Sequence, residues 1–259
     1  MAILVTGSGT LVGENISKYL SKKFKVISTY RSSYPYKLSK IKNIKIEKLD
    51  LEKKIKLKKD FNILIHCASA IPDYKLPEKK FLEINIGGFR KILNLCKKKN
   101  VKQIILLSTV SVYGNIKVKK INEKTPIKAF DNTYGYSKFI MEKDLMNFAK
   151  KENIKFLVLR LPAVLGKNSD HNFLSKLVRD IKSKNRNDFL LKNPNFSLNN
   201  FIHVKTLSKV VYFCIRKNIS GIFIMGGKNP VMLKNIIKKI FFYKKIKILF
   251  KNDGTAFNI

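Results

Sequence analysis

Short, wholly apolar runs alternate with lysine-rich amphipathic stretches through the first 160 residues. AILVTG reads as a buried strand, and the segment 10–22 (TLVGENISKYLSK) sets Val12, Ile16, Tyr19 and Leu20 on one helical face. KVISTY is a second strand, IKIEKLD a third and FNILIHCAS a fourth. A long helix is expected over about 80–99, with Phe81, Ile84, Phe89, Ile92 and Leu95 for its apolar side. VKQIILLSTVSVYG reads as a fifth strand, YGYSKFIMEKDLMNFAKKE as a helix and FLVLRLPAV as a sixth strand. Strands that are apolar throughout and separated by helices predict an α/β fold, a parallel sheet covered on both faces. Beyond Pro162 the pattern loosens into short helices such as NFLSKLVRDIKSK and the turn-rich KNPNFSLNN. The expected division is a main domain over 1–160 and a small C-terminal lobe over 161–259 that partly returns to the main sheet.

The totals refine this picture. With 259 residues, 45% of them hydrophobic, the chain has material for a large core. No apolar run approaches the roughly 18 residues that span a bilayer. The N-terminus lacks the basic start and cleavage site of a secretory signal. Cys67, Cys96 and Cys214 have no pairing or metal-ligand spacing, so buried thiols in a reducing cytoplasm are expected, and no metal. The charge stands out: Lys+Arg 54 against Asp+Glu 17 gives a net +37. Such a balance suits a nucleic-acid or anionic-membrane partner. The lysine runs are spread along the whole chain, with no basic recognition helix or aromatic-studded strand. The favoured reading is therefore compositional, with no specific nucleic acid expected, and with some attraction for phosphorylated small molecules.

Two stretches carry candidate chemistry. TGSGTLVG, residues 6–13, joins the first strand to the first helix, where backbone N–H groups and the helix dipole favour a phosphate. Its glycines stand at 7, 9 and 13, so the third falls one place beyond the G-x-G-x-x-G spacing. Alone, the loop is equally an ordinary turn. Tyr134 and Lys138 form Y-x-x-x-K on one face of a helix. An ammonium beside a phenol favours the phenolate, so the tyrosine pKa is expected to fall towards the working pH and the side chain to serve as general acid or base. A strand-end Ser or Thr would orient the substrate oxygen. Taken separately, this pair too is commonly no more than a solvated Tyr/Lys couple.

In combination the chain resembles the extended short-chain dehydrogenase/reductases of the NAD-dependent epimerase/dehydratase family, which act mainly on nucleotide sugars. The markers appear in family order: TGSGTLVG, LDL (49–51), ILIHCAS (63–69), LEINIGGFRKILNLC, STVSVYG, YGYSK, LRLPAVLG (159–166), NFIHV (200–204) and GIFIMGG (221–227). The resemblance implies a Rossmann-type doubly wound sheet that binds NAD(P) over residues 1–160, with a substrate-binding lobe over 161–259. It assigns the cofactor turn to Gly7, Gly9, Thr10, Leu11, Val12 and Gly13. Asp50 and Leu51 would flank the adenine, and Ala68, Ser69, Asn85 and Leu161 would line the dinucleotide. Thr109, Tyr134 and Lys138 are the implied catalytic set, and the last two would also touch the cofactor. Ser108 is the fallback hydroxyl, close to cofactor and substrate alike. Ser111 and Asn172 would contact substrate. His66 and His203 are expected to be structural, and His171 to lie at the surface.

The second strand ends Tyr30-Arg31-Ser32, without the acid that would bind ribose hydroxyls. Arg31 could instead hold a 2′-phosphate, which favours NADP over NAD. Val110 and Ser111 replace the Asp-Glu pair of sugar dehydratases, which disfavours that reaction. A keto-sugar reductase, slightly favoured, and a 4-epimerase both remain open. So does a non-catalytic dinucleotide-binding or interaction protein, or a basic nucleic-acid-associated one. Family members often pair through two helices, which allows a homodimer here. Departures from the family pattern are Thr10 in the middle glycine slot of T-G-x-x-G-x-x-G, Asn199-Asn200 before FIHV and the end at GTAFNI.

Overall fold

A computed structural model describes residues 1–71, 76–115, 120–167, 169, 174–176, 179, 188–192, 197–198, 201–226, 231–242 and 247–251. The residues up to 162 and from 203 to 225 form one compact unit. Its centre is a parallel sheet built from β1 (Ala2–Thr6), β2 (Lys25–Tyr30), β3 (Ile44–Lys48), β4 (Ile63–His66), β5 (Gln103–Thr109), β6 (Lys155–Leu161) and the edge strand Gly221–Ile224. The spatial order is edge strand, β6, β5, β4, β1, β2, β3. The chain therefore runs outward one way from β1 and the other way from β4. Loops leaving these two neighbours diverge and open a crevice at their C-terminal ends.

The apolar runs become interior strands because both faces are covered. All seven residues of β5 are buried. Leu4, Leu64, Ile104 and Leu106 meet Phe89, Ile92, Met141 and Leu145 from α4 (Gly88–Lys98) and α5 (Thr133–Glu152) in one core. α1 (Leu11–Leu20) belongs to the other layer with the helix Val204–Arg216, where Tyr19 and Phe24 pack on the Tyr212 ring; the single turn α2 (Tyr36–Ser39) lies between β2 and β3.

Three expectations change in detail. The helix over 80–99 starts at Glu78 and is interrupted: α3 (Glu78–Leu82) passes through a π turn, Glu83–Gly87, into α4. VSVY is not strand; β5 ends at Thr109, and Val110–Tyr113 forms a 3-10 turn capped by the Thr109 hydroxyl. The fourth strand stops at His66, because Cys67 and Ala68 turn their N–H groups onto Thr6 Oγ1.

Residues 163–202 and 226–259 make a second unit. Its described elements include Asp188–Lys192 parallel to Lys247–Lys251, Ser197–Leu198 antiparallel to Val231–Met232, and the helix Leu233–Phe242. Most of NFLSKLVRDIKSK lies outside the described residues, as do His171, Asn172, Asn199, Asn200 and the stretch GTAFNI.

Candidate active site

The first loop is built on contacts too close for side chains. Gly7 has φ +72, and a Cβ there would stand 2.8 Å from Ala68 backbone atoms. A Cβ on Gly13 would stand 2.3 Å from Gly7 O, so α1 starts tight against the turn. Gly9 is exposed, and a Cβ on it would meet nothing nearer than Ser33 O at 3.8 Å. Thr10 is the N-cap: its hydroxyl donates to Gly7 O at 2.8 Å and accepts from Gly13 N at 3.3 Å. The N–H groups of Leu11 and Val12, in the first turn, have no acceptor within the helix and point out of its end. This turn fits a dinucleotide pyrophosphate: bare at Gly9, close-packed beneath, with donors at a helix start.

Thr6 and His66 end the two strands beside the crevice. Thr6 Oγ1 accepts from Cys67 N and Ala68 N, so its proton goes to His66 Nδ1 at 2.9 Å. That leaves His66 neutral, wholly buried, with its pKa pulled down to about 3 by burial and by the Lys138 charge. Its role is to hold the β1–β4 exits together. Asn85, in the π turn, does the same one step further out. Its Oδ1 accepts from Ser69 Oγ and Ala70 N, and its Nδ2 donates to Ala70 O and Ser137 Oγ. The amide thereby ties the loop after β4 to α5, with every hydrogen-bonding site of its side chain used internally. Ser69 is likewise committed, while Ala68 stays partly accessible at the turn. Asp50 Oδ1 accepts from Glu52 N, and Leu51 is buried against Gly88. Arg31 and Ser32 are exposed just beyond β2.

At the end of β5, Thr109 is 7% exposed and pairs in register with Leu161 of β6. Its hydroxyl donates to Ser111 Oγ and accepts Ser111 N, both at 3.1 Å. The start of α5 is docked on this turn. A Cβ on Gly135 would stand 2.3 Å from Ser111 O, and Asn132, the N-cap, donates Nδ2 to the same carbonyl. Tyr134 is thereby carried to the turn that follows Thr109. Lys138, one helical turn on, is buried, with Nζ donating to Leu107 O at 3.2 Å and standing 5.9 Å from the Tyr134 ring centroid.

The electrostatics differ from expectation. Burial pushes the Tyr134 phenol up to about 12, where a depression by Lys138 was expected. The ammonium lies over the ring face and bonds a carbonyl instead of the phenol. Burial in turn draws Lys138 down to about 8.

The fallback hydroxyl has another partner. Ser108 Oγ donates to Glu142 Oε1 at 2.5 Å. Glu142 and Arg160 form a buried pair, Nη2 to Oε2 at 2.7 Å, and Arg160 Nη1 donates to Tyr113 Oη at 2.6 Å. Tyr113 Oη donates on to Asn122 O. Ser108 is therefore a bracket for the strand end and has no proton left for a ligand. Sequence reasoning missed Glu142, Arg160, Asn132 and Ser137. The signal for the first two was present: an arginine inside the apolar LVLRL, and a glutamate four residues after Lys138 on the same helical face.

A profile of the NAD dependent epimerase/dehydratase family matches residues 3–226. The UDP-glucose 4-epimerase of Lactobacillus helveticus is 32% identical over 127 residues, 48% of this chain and 38% of the relative. A putative UDP-glucose 4-epimerase of Methanocaldococcus jannaschii is 26% identical over 219 residues, 80% of this chain and 71% of that protein. The matched stretch thus spans well under half of the first relative's length. Among solved structures, UDP-glucuronic acid 4-epimerase from Bacillus cereus in complex with NAD is similar with a TM-score of 0.82 at 21% identity, covering 97% of this chain and 86% of that one. At that identity the likeness is one of fold.

Proposed function

We propose that this chain, which belongs to the NAD dependent epimerase/dehydratase family, is a 4-epimerase of a nucleotide-activated sugar. One observation carries the reading: Gly135 and Asn132 dock the Tyr134/Lys138 helix onto the turn after Thr109, at the crevice between diverging loops. A keto-sugar reductase uses the same groups. The relatives' names favour the epimerase, although the sequence alone leaned towards the reductase.

A bound nicotinamide dinucleotide supplies the hydride acceptor and donor. The bare turn at Gly9, the first N–H groups of α1 and Ala68 would hold it, with Asp50 and Leu51 towards the adenine. The free carboxylates that would bind ribose hydroxyls are absent from the end of β2, and Arg31 and Ser32 stand there instead. They support a 2′-phosphate, whereas the family description supports NAD.

As the phenolate, Tyr134 would take the proton of the sugar hydroxyl as hydride leaves for the dinucleotide, and would return it to the keto oxygen when hydride comes back; burial keeps the phenol protonated in this state. Lys138, still mostly protonated at pH 7, stabilises the phenolate. Thr109 donates to Ser111, so the Ser111 hydroxyl proton is the outward one and orients the sugar oxygen.

The test is Tyr134→Phe, assayed for interconversion of UDP-glucose and UDP-galactose. Turnover is expected to fall by about 10²–10⁴, with the thermal shift produced by cofactor retained. Undiminished turnover would refute the assignment. Run with NADPH and NADH at equal concentration, the same titration reads the preferred cofactor as the larger shift. Arg31→Ala should remove any advantage of NADPH.

A further inference from the structure

Within the first unit the positive charge is not evenly placed. Every connection entering a strand of the parallel sheet comes to the end remote from the nucleotide turn. The six that lead into β2–β6 and the edge strand contain SKKFK, SKIKN, KKDFN, KKKNVK, KKENIK and RKNIS. These hold sixteen lysines and arginines against two acids, Asp60 and Glu152. Both acids are already neutralised, by Lys99 at 2.7 Å and Lys97 at 2.8 Å. At the opposite end, RSS, LDLEKK, PEKKFLE and KINEKTPIKAFD carry eight cations and six acids.

The basic loops form a continuous face. Val26 N donates to Asn43 O, Asn62 N to Ala2 O, Lys102 N to Asn62 O and Lys155 N to Lys102 O. Gln103 Nε2 reaches Ile219 O. Lys45 stands close enough to Lys59 and Lys25 for both to oppose its charge. Such crowding costs stability. It does not serve the nucleotide turn, which lies at the other end of the strands.

We propose that the strand-entry end of the first unit is a docking surface for an anionic lipid bilayer. The chemistry of the face favours a bilayer over a nucleic acid. It is almost wholly lysine, a point charge on a flexible stem, with Arg216 the one guanidinium in those six stretches. Base-edge readout would need forked side chains. At its rim, in the last turns of the helix Val204–Arg216, Phe213 is 55% exposed beside Arg216 and Lys217. An exposed ring among lysines suits the boundary between headgroups and acyl chains. Docked this way, the chain keeps its nucleotide turn directed away from the membrane.

The experiment is co-sedimentation of the full chain with vesicles of phosphatidylcholine containing about one-third phosphatidylserine, against pure phosphatidylcholine. Binding is expected to the anionic vesicles alone at about 0.1 M salt and to be lost near 1 M. A lysine facing an anionic leaflet multiplies binding about fivefold. Changing Lys23, Lys42, Lys58, Lys102 and Lys155 together to Gln should therefore lower it more than about tenfold. The same change at Lys53, Lys54, Lys120, Lys124 and Lys128, exposed at the other end, should lower it much less. An unaltered thermal shift with cofactor shows that both variants are folded. Absence of vesicle binding, equal loss in the two variants, or tighter binding to random duplex DNA at the same salt would each overturn the proposal.

Discussion

The Thr10 hydroxyl commits its proton to Gly7 O and receives Gly13 N–H, so its bonding closes the loop on itself. The altered middle of the glycine pattern is thus a helix cap. Thr10→Ala should cost about 1 kcal/mol and Thr10→Gly only a few tenths, as read by urea denaturation. Cofactor affinity should persist in the glycine variant; a large loss would make the hydroxyl a ligand. Lys138 gives a pH test. Its folded pKa, near 8, lies below the unfolded value near 10.4. Between those values the unfolded chain holds the extra proton, so stability rises with pH from about 8 to about 10. Lys45, crowded by Lys59 and Lys25, adds a rise of its own. The quantity to measure is therefore the wild-type curve minus that of Lys138→Met, and a difference that stays flat would contradict the burial cause. The motif residues were legible in the sequence; their protonation was not, because desolvation depends on what other elements cover.

At the scale of elements, the end of β5 is held by side chains from three directions. Ser108 is bracketed by Glu142 of α5, Glu142 by Arg160 of β6, and Arg160 by Tyr113 of the 3-10 turn. Removing one charge leaves the other buried and unpaired, so Glu142→Leu or Arg160→Met should each cost about 3–5 kcal/mol. The double variant should lose clearly less than the sum, because no uncompensated charge remains. Additive losses in a double-mutant cycle would show that the two do not act as a pair. The strand and helix periods were readable in advance through β6. The π turn and the 3-10 turn were not. VSVYG has strand composition, yet the Thr109 hydroxyl caps Ser111 N, and α5 packs on the Ser111 carbonyl through Gly135. The first is a local cap and the second a tertiary contact, and together they override strand propensity.

For the molecule as a whole, the concentration of lysines at one end of the sheet makes self-repulsion a measurable part of stability. Raising salt from about 0.01 M to 0.15 M shortens the screening length from about 30 Å to 8 Å. The thermal midpoint should rise over that range, and a smaller rise is expected for the five-lysine variant of the strand-entry face. An unchanged midpoint would mean that counterions already neutralise the face at low salt. The parallel sheet, the phosphate-suited turn and the Tyr/Lys pair follow from the sequence alone, because apolar period, glycine geometry and helical spacing are local properties of the chain. Tertiary structure alone decided that the Ser108 proton goes to Glu142, that Tyr134 and Lys138 are shifted by burial, and that the first unit's charge is gathered at one end. Each of these depends on groups far apart in sequence, brought together by the parallel order of the strands.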